Sequence, residues 1–317
     1  MQFNSREDII QMTPLWKGER LPDGRPFVTD EQLERIRKLS LEETWQIAWN
    51  KLYNNQYQEG FKYTDEASLP MVGRAVTVTS VPVREDLGLA MLRQAKKQGK
   101  PSHDSFHSWV ISNLGENDVV VIDCHDKAYE GPMIGGNLGA SIKRNTKKGG
   151  AVVWGAVRDL DQLEALKGVN FFHRHVDPTP NRNEVMISYN GPCMIGDAVC
   201  LPGDVVYACK SGVFFLPAHL VEETIVHAEK IQVRDLYGAE VIASDRFPTT
   251  FVDSYPWHQE MMDDFLEWFK TSPKAIPYQH LDWTDEQREI DTGHSDDHER
   301  YIFGVLHLDD SDPRVPD

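Results

Sequence analysis

The chain has 317 residues, 40% of them apolar, and a net charge of −17, which sizes it for one large domain or two smaller ones with a real core. With a mean hydropathy of −0.48 and no apolar run of about 18 residues or more, it is expected neither to span nor to bind a membrane, and its acidity opposes direct contact with nucleic-acid phosphates. The opening MQFNSREDIIQM lacks the apolar core of a secretory signal, so we expect a cytoplasmic protein. Cys124, Cys193, Cys200 and Cys209 form no C-x-x-C pair and read as free, buried thiols.

Residues 1–30 read as an irregular arm containing Pro14, Pro22, Gly24 and Pro26. Ser40 opens S-L-E-E, a capping box with Glu43 at the third helical position, and Trp45, Ile47, Ala48 and Leu52 continue that helix. The arm and helix together span 1–68. A core begins near Leu69, where residues 73–79 alternate as a strand; 87–97 and 106–114 read as helices. Residues 119–123 are continuously apolar, as in a strand covered on both faces. A glycine-rich turn at 135–139 then opens a helix at 140–145, Gly149-Gly150 ends it, and 151–157 form the next buried strand. A short helix at 159–166 and a strand at 169–173 follow. This alternation with short links implies an α/β sheet. Short strands at 184–189, 198–201, 205–208 and 212–216 and a closing helix at 217–233 complete a core of 69–233.

From Arg234 the pattern changes, and 234–317 read as an acidic, aromatic extension. Within it, 255–270 predicts an amphipathic helix bearing Trp257, Met261, Phe265, Trp268 and Phe269, a face that must be covered by the core or by a neighbouring subunit. Residues 271–317 hold twelve acids against four bases and so supply about half of the net charge.

Two features carry chemistry. Gly135, Gly136 and Gly139 permit positive φ and close approach of a ligand, and a turn that opens a helix directs N–H groups and the helix dipole at an anion. The turn is neither a Walker A nor a G-x-G-x-x-G motif. Arg158-Asp159 stands at a strand end, where ligands of open α/β sheets bind. Arg158 offers a fork of donors for a carboxylate, and Asp159 is a hard oxygen ligand suited to Mg²⁺ or Mn²⁺. Asp159 equally suits the N-cap of the following helix, with Gln162 completing a capping box. The two roles can coexist, since a carboxylate has two oxygens. Further candidates around the site are His173 and His175, on one face of a strand, and His125-Asp126, just past Asp123. His103–His107 and His294–His298 have the helical spacing of zinc pairs, without the glutamate of H-E-x-x-H.

The segment G-G-N-L-G followed by G-A-V-R-D-L-D resembles the RraA-like family, which includes the 4-hydroxy-4-methyl-2-oxoglutarate/4-carboxy-4-hydroxy-2-oxoadipate aldolases. V-G-R-A-V-T-V at 72–78, N-D-V-V-V-I-D at 117–123, L-P-G-D-V-V at 201–206 and S-G-V-F-F-L-P at 211–217 fit as well, so the resemblance covers 69–225. It implies an αββα sandwich of the swivelling-domain type, a homotrimer or hexamer with sites between subunits, and a small 2-oxo acid substrate. It implies that Arg158 binds the substrate and stabilises its enolate, that Asp159 holds Mg²⁺ or Mn²⁺, and that Gly136, Asn137, Leu138 and Gly139 bind the substrate carboxylate. The expected reaction is C–C cleavage, by retro-aldol or oxaloacetate-type decarboxylation. Elimination on an oxidised sugar is an alternative, as is a non-catalytic regulator that masks a ribonuclease. Asn137, Gln162 and Lys210-Ser211 stand where the family's aldolases carry acids.

Overall fold

The computed structural model describes residues 2–99, 106–254 and 256–293. The chain divides into two compact units, 1–224 and 225–317.

The first unit opens with β1 (Gln2–Phe3), α1 (Arg6–Met12), α2 (Asp30–Ile36), α3 (Leu41–Asn50) and β2 (Tyr57–Gln58). Then come β3 (Met71–Pro82), α4 (Glu85–Lys97), α5 (Phe106–Ser112), β4 (Asp118–Lys127), α6 (Gly136–Thr146), β5 (Gly150–Val157), α7 (Leu160–Glu164) and β6 (Asn170–Val176). Five short strands follow: β7 (Glu184–Tyr189), β8 (Cys193–Ile195), β9 (Ala198–Cys200), β10 (Val205–Ala208) and β11 (Val213–Leu216). The main sheet has nine strands in the order β2-β11-β10-β3-β4-β5-β6, with β7 also on β3 and β1 on β7. The β3-β4-β5-β6 segment is parallel throughout. Both faces of β4 and β5 are therefore covered, which is why they read as unbroken apolar runs.

One face packs on α4–α7 through Ala95, Val110, Ile111, Ile142 and Leu163. The other packs on the β8–β9 ladder through Cys193, Ile195, Ala198 and Cys200. The expected α/β class holds. Three of the four cysteines are buried and Cys209 is half-buried, all of them free thiols.

The N-terminal arm differs from expectation. Ser5 and Asp8 form a capping box that starts α1, with Asp rather than Glu or Gln at the third position. The arm is also pinned to the sheet: buried Arg25 pairs with buried Asp118 at 2.8 Å, and Arg74 reaches Asp30 at 2.9 Å.

The helix expected at 217–233 is a 3₁₀ turn (Ala218–Leu220) running into α8 (Val221–Ala243). The second unit then has α9 (Thr249–Val252), α10 (Gln259–Thr271), a 3₁₀ helix (Pro273–Tyr278) and α11 (Thr284–Thr292). The apolar face of α10 is covered inside this unit. Phe265 lies fully buried with its ring edge-on to Trp283 at 4.6 Å and to Tyr237 at 5.2 Å. The Tyr237 hydroxyl donates to Asp264 at 2.7 Å and the Trp257 indole N–H to the Val252 carbonyl at 3.0 Å, so these two polar tips of the aromatic core are satisfied. Among the described residues no helix is long and apolar enough to cross a membrane.

Candidate functional site

The strand-end pair and the glycine turn meet at the carboxyl edge of β4 and β5. The Met133 N–H donates to the Ala156 carbonyl at 3.2 Å, and the Arg158 N–H to that of Ile134 at 2.9 Å. These bonds lay segment 133–134 along the end of β5 and bring Gly135 beside Arg158. Asp159 adopts a left-handed backbone, φ 55° and ψ 45°, a conformation that costs a non-glycine residue about 1–2 kcal/mol. Its carboxylate Oδ2 accepts the Gly136 N–H at 3.1 Å and lies 3.7 Å from Arg158 Nε.

This corrects the capping-box expectation. Asp159 is the N-cap residue of α7, but its side chain makes no capping bond. The Gln162 N–H instead donates to the Asp159 main-chain carbonyl at 2.9 Å. The left-handed turn swings the carboxylate away from α7 and onto the first turn of α6.

The glycines work through space rather than through φ. None of Gly135, Gly136 and Gly139 has positive φ, and α6 begins at Gly136, earlier than expected. A Cβ on Gly135 would lie 2.6 Å from Asp159 Oδ2 and 2.9 Å from Arg158 Nε, and one on Gly136 would lie 1.9 Å from Gln162 Oε1. Bare backbone is therefore what lets Arg158, Asp159 and Gln162 converge. Gly139 has a different task, since its Cβ would strike Leu163 at 2.4 Å and it lets α6 lie against α7. Its N–H already donates to the Gly135 carbonyl at 2.8 Å. With Gly136 bonded to Asp159, the N–H groups of Asn137 and Leu138 are the donors of this turn without a partner among the described residues, and so are open to an anion.

A cavity of about 160 Å³ adjoins this turn, lined by Asn137, Leu138 and Arg158 and, across from the turn in sequence, by His107, Ser108 and Asn181. Larger cavities exist. One of about 360 Å³, mostly apolar, lies by Trp16, Tyr53 and His219. Another of about 640 Å³ lies by Arg25, Trp109 and Asn190. Neither is lined by a residue of the glycine turn or of the Arg158-Asp159 pair, so size alone does not mark the site; the converging anion donors do. Burial pushes the His107 imidazole down to about 4. The residue as a whole is half-buried, while its Nε2 is enclosed and has no hydrogen-bond partner among the described residues. Sequence spacing had paired His107 with His103, which lies outside the described residues, as do His294 and His298. Ser108 and Asn181 carried no sequence signal.

The other histidine candidates gather elsewhere. Asp126 accepts from Arg174 at 3.0 Å and pairs with His175 at 2.9 Å, and these neighbours hold its carboxyl below the usual range despite partial burial. His125 faces buried Glu184 at 3.3 Å. Burial raises the carboxyls of Glu184 and Asp123. His173 is buried with Nδ1 against the Phe171 carbonyl at 3.1 Å, and burial lowers its imidazole. None of His125, Asp126, His173 and His175 lines the Arg158 cavity.

A family model described as RraA-like, Aldolase/RraA, matches residues 48–215. Among solved structures, RraAS2 from Streptomyces coelicolor, an unusual member of the RNase ES inhibitor RraA family, is similar at 21% identity and TM-score 0.55, over 70% of this chain and 98% of that one. A protein described among novel cellulases from microbes of the gut ecosystem is similar at 18% identity and TM-score 0.55, over 74% and 96%. An uncharacterized protein from Pseudomonas syringae pv. tomato matches at 18% identity and TM-score 0.53, over 68% and 94%. At these identities the likeness is one of fold. No curated protein matches.

Proposed function

Because the chain belongs to the RraA-like family, we propose that it is a lyase that cleaves a C–C bond of a small 2-oxo acid, by retro-aldol cleavage or decarboxylation, through an enolate. The observation that carries this reading is the convergence of Arg158 and Asp159 on the first turn of α6, with two N–H donors left open beside a small cavity.

Each residue then has a task. The Asn137 and Leu138 N–H groups, at the positive end of the α6 dipole, bind the substrate carboxylate. Arg158 lies where negative charge develops on the 2-oxo oxygen as the C–C bond breaks. A fixed cation there stabilises the enolate more than the ketone and so lowers the barrier. The Asp159–Gly136 bond fixes the pair against α6, so this charge needs no reorganisation during the reaction. Pro132, Met133 and Pro180 line the cavity and limit water around it.

The donors present suit a hard divalent cation shared with substrate. Asp159 gives one carboxylate and Gln162 Oε1 sits at the Gly136 cradle; Mg²⁺ characteristically takes one or two carboxylates and completes its shell with water and substrate oxygens. Among the described residues no group of three or more His, Cys, Asp or Glu could hold an ion alone. Mg²⁺ or Mn²⁺ held by Asp159 would supply Lewis acidity toward the 2-oxo group. No lysine Schiff base is required.

The reading is tested by pyruvate release from a 4-hydroxy-2-oxo diacid and from oxaloacetate with Mg²⁺. Arg158→Ala and Asp159→Ala should each lose at least about 100-fold in kcat/KM. Full turnover by Asp159→Ala would refute the role given to it. A second reading, a regulator that masks a ribonuclease, is favoured by the net charge of −17, which a basic RNA-binding surface would attract.

A further inference from the structure

The apolar cavity of about 360 Å³ shares no lining residue with the Arg158 cavity. It lies toward the amino ends of the parallel strands, whereas Arg158 stands at a carboxyl end. Its wall residue Asp204 accepts the Ala75 N–H at 2.8 Å through the main-chain carbonyl, and Ala75 pairs with Val119 near the start of β4. The N-terminal arm supplies Met12, Pro14 and Trp16 to the wall. Arg20 holds this stretch of the arm in place. Its guanidinium donates to the Thr13 hydroxyl and the Gly24 carbonyl at 2.8 Å and to the Thr13 carbonyl at 2.9 Å. A wall fixed in this way needs little ordering when a ligand enters.

Most polar groups of the lining are already engaged. The Trp16 indole N–H donates to the Glu19 carbonyl at 2.7 Å, the Gln56 amide to the carbonyls of Val199 and Phe215 at 2.8 and 3.1 Å, and Asp204 Oδ2 accepts the Leu201 N–H at 2.8 Å. Tyr53 and His219 differ. The hydroxyl oxygen and Nε2 lie 3.1 Å apart, and both residues are half-buried rather than enclosed. A phenol and an imidazole each keep capacity for a bond beyond the one they share. Among the described residues no Lys, Arg or Glu lines the cavity. Burial raises the Asp204 carboxyl to about 7 and lowers the His219 imidazole, so both groups are pushed toward their uncharged forms.

We propose that this cavity binds an uncharged aromatic molecule of one or two rings that carries a hydroxyl or carbonyl group. An apolar cavity of about 150 Å³ is enough to take benzene, so the larger volume here accommodates two fused rings. Pro14, Pro26 and Pro217, with the rings of Trp16 and Tyr53, offer flat faces to such a ligand. Its polar group bonds to the Tyr53–His219 pair. An ionic ligand would lose its hydration with no counter-charge in the wall to replace it. This site is separate from the proposed lyase chemistry and does not depend on it.

The test is calorimetric titration of the purified full chain with 2-naphthol, 2-naphthoate and naphthalene. 2-Naphthol should bind at one site per chain with a Kd below about 1 mM. 2-Naphthoate, the same rings with a charge, should bind at least about tenfold more weakly. Tyr53→Phe should weaken 2-naphthol by about 2–10-fold and leave naphthalene unchanged. Val199→Trp, which adds an indole to the lining, should abolish binding of both, and Arg158→Ala should alter neither. No saturable binding of 2-naphthol would overturn the proposal, as would equal affinity for 2-naphthoate. Binding that survives Tyr53→Phe and Val199→Trp unchanged, or that is lost in Arg158→Ala, would place the ligand elsewhere and overturn it too. If Val199→Trp does not fold, Tyr53→Phe and the naphthol–naphthoate comparison decide. Saturable 2-naphthol binding by a protein that turns over no 2-oxo acid would support this site while the lyase reading fails.

Discussion

Gly135→Ala tests the geometry of the site with a single carbon atom. Gly135 has φ −134° and ψ −173°, extended backbone that alanine adopts without strain. The added Cβ would meet Asp159 Oδ2 at 2.6 Å and Arg158 Nε at 2.9 Å, where ordinary contact begins near 3.4 Å. The carboxylate must retreat by about 0.8 Å and the guanidinium by about 0.5 Å, and a misplacement of about 1 Å at a reacting centre costs roughly 100-fold. Stability should fall by no more than about 2–3 kcal/mol, which leaves the chain folded. Loss of the Gly136 N–H to carboxylate bond costs about 1.5–3 kcal/mol at most, since that group is partly exposed, and the reduced freedom of the unfolded chain returns about 0.4–1 kcal/mol. Steady-state pyruvate release, with urea unfolding of the same preparation, reads both quantities. Unchanged kcat/KM in a folded Gly135→Ala protein would refute the argument that Arg158 and Asp159 act from these positions.

Two further outcomes concern the scaffold. Burial raises the Asp204 carboxyl from 3.8 to about 7, so between about pH 4 and pH 7 the native state keeps a proton that the unfolded chain has lost. Stability must then fall as pH rises through this window, by up to about 4 kcal/mol at about 1.4 kcal/mol per unit; Asp204→Asn should flatten the profile, and an equally steep profile in that variant would show that another group is responsible. Arg25→Ala strands Asp118 as a buried, unpaired carboxylate and should destabilise the first unit by about 3–5 kcal/mol, which urea unfolding would measure; a loss below about 1 kcal/mol would mean that the pair is solvated.

Much of the core was legible because its signals are local. The runs 119–123 and 151–157 are apolar without interruption, as strands between two parallel neighbours must be, and the Ser40 capping box starts α3 where the sequence places it. What was not legible depends on contacts distant in the chain. The sequence marks Asp159 as a cap because Gln162 stands three residues on, but a left-handed turn after β5 redirects its carboxylate to Gly136, 23 residues earlier. Glycines at 135–139 suggest unusual φ, whereas their use is close approach to side chains on a later loop and helix. His107 reads as half of a helical zinc pair because no local pattern announces that α5 will line the cavity of Arg158. Arg25 and Asp118 are 93 residues apart, and nothing in either neighbourhood predicts their pairing.

The role proposed for Arg158 and Asp159, set on the first turn of α6, is to support cleavage of a 2-oxo acid. Its most direct test is pyruvate formation from a 4-hydroxy-2-oxo diacid by the purified full chain, with and without Mg²⁺ or Mn²⁺. Release should require the cation and be lost in Arg158→Ala. No pyruvate from this substrate or from oxaloacetate under either cation, or equal release by Arg158→Ala, would contradict it.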